Sequence, residues 1–87
     1  MMANKEKDRY WRVVSECLIA FHRYSKKDAV HRVSSYRLDI EGAEPDIQSD
    51  IFYHNEPYDV ACDIAEEYLP LENRFSEYEE ILEGKWR

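Results

Sequence analysis

The sequence predicts an all-α protein: a small four-helix, bundle-like domain spanning residues 1–87, with one extra short helical turn near 49–54. Apolar residues recur three and four apart along almost the whole chain, the period of a single helix face. Breakers are few, two Gly and three Pro in 87 residues, and they fall between or at the ends of the periodic runs. The one short apolar run bounded by turn formers has no second strand-like run to pair with.

Tyr10, Val14, Cys17, Leu18, Phe21 and Tyr24 form the first stripe, which places a helix at about 5–24. Ser25-Lys26-Lys27-Asp28 then reads as a capping box, Ser25 as N-cap and Asp28 reaching back to its amide. The second helix turns Ala29, Val30, Val33, Tyr36, Arg37 and Ile40 inward, and Gly42 fits the left-handed residue that closes a helix. The link between the two is tight, so they form an antiparallel hairpin.

Residues 42–49 are a loop in which Pro45 drives Glu44 out of the helical region. For Ser49 to His54 a helical turn is preferred to a lone strand. Asn55 is expected to cap the next helix, with Pro57 in its first turn. Its stripe is Val60, Ala61, Ile64, Ala65 and Tyr68, and Pro70 ends it. A last helix over about 72–83 follows from Leu71, Phe75, Tyr78, Leu82 and Trp86, with Gly84 near its close.

Two Trp, seven Tyr and three Phe give the chain enough large apolar groups for a core and argue against disorder. The longest uninterrupted apolar stretch, Cys17 to Phe21, is far below a membrane span, and the charged amino terminus does not lead into a signal-length apolar run. The expectation is a cytoplasmic protein with no membrane partner. Cys17 and Cys62 are too few for a disulfide framework and are expected as reduced, buried thiols.

Charge is divided along the chain. Residues 1–38 hold nine Lys/Arg against four Asp/Glu; residues 39–87 hold three against fifteen, for a total of −7. Such a field favours cationic partners and repels bare phosphate backbones. The basic start, with Tyr10, Trp11 and Tyr24 among its arginines, has the composition of a nucleic-acid surface. The acidity of the whole argues against that use, and no nucleic-acid partner is expected.

Four groups of residues are candidates for chemistry or recognition. Asp28 and His31 have the spacing of one half of a carboxylate-bridged di-metal site, which needs that spacing twice and two further carboxylates. With His22 and His54 elsewhere, the three histidines are expected to be partly exposed, and no metal, cofactor or catalytic set is assigned. Asp59, Asp63, Glu66 and Glu67 form a ladder three or four apart, continued by Glu72, Glu79, Glu80 and Glu83, which reads as a solvated acidic face or one that docks a basic protein. The arginines and lysines of the first two helices are expected to pair with the acidic half, within one fold or between two copies. Last, Asp50, Tyr53 and His54 share one face of a helical turn, an acid beside an aromatic, which suits a contact with a basic partner; alternatively Phe52 and Tyr53 plug the end of the bundle.

The run Ser49-Asp50-Ile51-Phe52-Tyr53-His54-Asn55 resembles the one-turn third helix of the small acidic immunity proteins that neutralise nuclease bacteriocins of the colicin and pyocin type. Their motif is Ser-Asp, two apolar residues, then Tyr-Tyr-Pro. The resemblance implies a four-helical fold and places Asp50, Tyr53 and His54 against the nuclease. His54 and Asn55 depart from the motif. So does the second helix, acidic in that family and here opened by Lys26, Lys27, His31 and Arg32.

Together these features suggest a non-enzymatic acidic protein that docks a basic protein partner, of the immunity or antitoxin kind, through Asp50, Tyr53, His54, Asp59, Asp63, Glu66 and Glu67. The alternatives are a structural homo-oligomer, a homodimer for instance, in which the basic half of one copy meets the acidic half of the next, or a small helical protein with no inhibitory role.

Overall fold

A computed structural model of the chain describes residues 4–42, 55–71 and 74–84. The first helix, α1 (Asn4–His22), is the hub on which α2 (Lys26–Glu41), α3 (Pro57–Ala65) and α4 (Phe75–Leu82) each pack. Tyr10, Trp11, Val13, Val14, Cys17, Leu18 and Phe21 of α1 are all buried. At roughly 100° per residue they cover about 160° of its circumference, wide enough to face three neighbours. No strand occurs among the described residues, and the fold is all-α as the periodicity predicts.

Contacts between helix ends set the topology. Arg37 near the end of α2 pairs with Asp8 near the start of α1 at 2.9 Å, so these two are antiparallel. The Tyr10 hydroxyl donates to the Asn55 carbonyl at 2.9 Å just before α3, and His22 closing α1 meets Glu67 just after α3 at 3.5 Å. Hence α3 runs parallel to α1. Arg74, preceding α4, donates to the Ala20 carbonyl at 3.1 Å, while Arg9 donates to the Leu82 carbonyl, so α4 runs back along α1. The order is up, down, up, down.

The Ser25 cap forms as expected, its hydroxyl accepting the Asp28 N–H at 3.1 Å. Several boundaries differ from expectation. α1 stops at His22, where Arg23 takes a left-handed φ of 62° and the Tyr24 N–H turns back to the Leu18 carbonyl at 3.1 Å. Gly42 stays right-handed at φ −85°, so it is not the left-handed closure of α2. Glu56, not Asn55, is the cap residue of α3, and it makes no side-chain capping bond. α3 ends at Ala65, well before Pro70. Glu66 is left-handed (φ 56°), its N–H meets the Asp63 carbonyl at 3.2 Å, and the Glu67 N–H meets the Cys62 carbonyl at 3.1 Å. That pair of bonds is a Schellman closure built on a non-glycine residue.

These shifts move side chains. Tyr68, expected on the inward stripe of α3, is 71% exposed, because the chain has already turned at Glu66. Val30 and Phe75 are half-exposed rather than inward. α2 buries Ala29 and Val33, with Tyr36, Arg37 and Ile40 half-buried, so it lies on α1 along a narrow strip. The expected turn at 49–54, and Trp86, lie outside the described residues. Cys17 and Cys62 are free and buried in the core.

Candidate acidic docking face

α3 is half core and half acid. Tyr58, Val60, Ala61, Cys62 and Ile64 pack inward, which leaves Asp59 and Asp63, four residues apart, exposed on the other side. Glu66 follows at the left-handed turn, also exposed, and Glu67 comes next at 61% side-chain exposure. Thus four of the acids predicted from sequence are exposed on α3 and in the turn that ends it, an acidic edge. Glu79 and Glu80 are exposed on α4. Asp50, Tyr53 and His54 lie outside the described residues.

Other helices hold both ends of α3. At its start Tyr78 of α4 places its hydroxyl against the Tyr58 N–H and against the Glu56 carboxylate. At its close Arg32 of α2 donates to the Ile64 carbonyl at 2.8 Å, with its guanidinium 5.9 Å from the centre of the Tyr24 ring. A cation there meets the end of a helix where unpaired carbonyls gather.

The basic half is therefore used in a way that composition does not reveal. Arg9 and Arg32 each reach a backbone carbonyl of another helix, as Arg74 of the acidic half also does. Arg37 divides its guanidinium between Asp8 and Glu41, both at 2.9 Å, and Arg12 pairs with Glu16 at 2.7 Å. These contacts leave Asp59, Asp63 and Glu66 facing solvent.

Two tyrosines flank the edge. Tyr36 of α2 is half-buried, edge-on to Trp11 at 5.9 Å; its phenol is held above the usual range, first by burial and then by the nearby Asp63 carboxylate. Tyr68 stands exposed beside Glu67. The sequence assigns both to inward stripes; Tyr36 does pack against the core, while Tyr68 does not, since Pro70 is the visible stop and a left-handed Glu66 carries no glycine signature.

Of the histidines, His22 differs from expectation. Its side chain is only 1% exposed, with Nδ1 3.5 Å from a Glu67 oxygen and Nε2 buried without a hydrogen-bond partner among the described residues. His31 and Asp28 are exposed on α2, and His54 lies outside the described residues. Among the described residues no three His, Cys, Asp or Glu side chains converge as a metal site requires, and no helix is long and apolar enough to cross a membrane. Compared with protein-family models, curated protein sequences and solved structures, the chain has no significant match.

Proposed function

We propose that the chain is a non-enzymatic binding protein of the cytoplasm that docks a basic protein through the acidic edge of α3, as an inhibitor of the immunity or antitoxin kind. The observation that carries this reading is that Asp59, Asp63, Glu66 and Glu67 are all exposed on α3 and its closing turn, with Tyr68 exposed next in the chain. In this mechanism the −12 half draws a cationic partner in. Tyr68 then supplies the apolar anchor that holds it, a role in which tyrosine is common. The run from Ser49 to Asn55 adds Asp50, Tyr53 and His54 as further contacts.

The test is capture from lysate of the source organism with tagged protein, washed at low and then high salt. The expected result is one basic protein, a nuclease above all, released by salt. It should be lost from bait carrying Asp59→Asn, Asp63→Asn, Glu66→Gln and Glu67→Gln together. Equal capture by wild type and this variant would place the docking surface elsewhere. Recovery of the bait alone would remove the reading.

A further inference from the structure

The outer face of α2 does not belong to the acidic edge. Val30, Ser34 and Leu38, four residues apart, form one ridge along the helix, and all three are exposed, Val30 at 49% and Leu38 at 71%. Beside it runs a second exposed row, Lys27, His31, Ser35 and Asp39, with the lysine at one end and the aspartate at the other. The face is thus apolar and small along its centre, cationic at its start and anionic at its finish.

We infer that this face of α2 is a self-association surface, on which a second copy of the chain packs its own α2 antiparallel about a twofold axis near Ser34. The charge order selects that occupant. A purely acidic partner would match Lys27 and meet Asp39 with like charge; a purely basic one would do the reverse. The same helix reversed matches both ends, as a twofold interface requires. An axis at Ser34 sets Val30 of one copy against Leu38 of the other, twice, and brings Lys27 within a turn of Asp39. The serines let the ridges approach and interlock, the packing in which rows of every fourth residue meet. α2 has 16 residues, about 24 Å of helix. One helix pair of that length falls at the small end of specific interfaces, so the dimer is weak. This surface is separate from the acidic edge, and the inference stands or falls independently of the docking proposal.

Sedimentation equilibrium tests it, over roughly 10 µM to 1 mM protein. About 0.1 M salt screens the general repulsion between two copies beyond roughly 10 Å. The mass of the wild type should climb from 10.5 kDa toward twice that value. Leu38→Lys should abolish the rise. Lys27→Glu should weaken association about tenfold, and Lys27→Glu combined with Asp39→Lys should restore it to within about twofold. That recovery cannot come from loss of fold, since it needs both helices intact. A constant 10.5 kDa across the range would overturn the inference. So would a rise that Leu38→Lys leaves unchanged, or a charge exchange that fails to restore association.

Discussion

Tyr78 on α4 does the capping of α3: its oxygen accepts the backbone N–H of Tyr58 at 3.3 Å and its proton goes to the Glu56 carboxylate at 3.0 Å. Pro57 brings no N–H to the first turn and Glu56 supplies no side-chain cap of its own, so the free donor of Tyr58 is met from another helix. The two rings also pack edge to face at 5.5 Å, and Tyr58 meets Phe21 in the same manner at 5.2 Å.

Tyr78→Phe keeps the ring and deletes the cap. It should cost about 1–2 kcal/mol, the usual range for a lost cap that leaves a buried donor unmatched. In a chain this size, thermal unfolding should move down by about 4–8 °C per kcal/mol. An unchanged midpoint would mean that the hydroxyl contributes nothing.

Arg23 is a non-glycine residue held at φ 62°. The left-handed region costs an L-residue about 1–2 kcal/mol, and glycine avoids that at an entropic cost of about 0.5–1 kcal/mol. Arg23→Gly should therefore stabilise the protein by about 0.5–1 kcal/mol, read by urea unfolding. A loss of stability would show that the Arg23 side chain holds the turn through contacts of its own.

Stability should fall in alkali. Burial pushes the phenols of Tyr10, Tyr58 and Tyr78 well above their ordinary value, with neighbouring acids and thiols adding to it. The thiols of Cys17 and Cys62 are raised mainly by burial too. The folded state thus keeps protons that the unfolded state gives up, so the stabilisation is complete below the unfolded pKa values and is lost above them. For cysteine the loss starts at about pH 8.5, and for tyrosine at about pH 10, each group costing about 1.4 kcal/mol per pH unit. Ionisation of the buried tyrosines, followed by ultraviolet absorbance, should coincide with loss of helical circular dichroism above about pH 10. Titration of all seven tyrosines near their free value with the helices intact would contradict the burial argument.

Cys17 is fully buried and Cys62 nearly so. Both should react with a chromogenic disulfide at least about a hundredfold more slowly in the native protein than in denaturant, since a thiolate must form and be reached. Fast stoichiometric labelling of native protein would place one of them at the surface.

Local signals in the chain were legible and long-range ones were not. The stripe of α1 and the Ser25 cap depend on neighbours within a turn, and the structure has both. Tyr78 as a cap and Arg32 on the Ile64 carbonyl join residues 20 and 32 apart in sequence, beyond any periodicity. Glu66 ends α3 without the glycine that would advertise it, so the sequence signal at Pro70 sets the boundary too far along and places Tyr68 in the core. Val30 misled because α2 covers α1 with so narrow a strip that only part of its apolar pattern is used. For the site, four carboxylates are readable from spacing alone; the exposure of Tyr68 beside them is not.

The hub arrangement of α1 bears on how the chain folds. α1 makes its most extensive contact with α3, not with its sequence neighbour α2. Because α1 and α3 are parallel, the residues that meet are 45 apart in sequence at both ends, and the entropy of closing that loop precedes the reward. The α1–α2 hairpin forms locally, yet it buries too little of α2 to hold by itself. The meeting of Leu18 and its neighbours with Val60 and Ile64, all of one buried cluster, is therefore expected to limit the folding rate. In the reverse direction α2, whose fully buried side chains are only the small Ala29 and Val33, is expected to lose amide-exchange protection early.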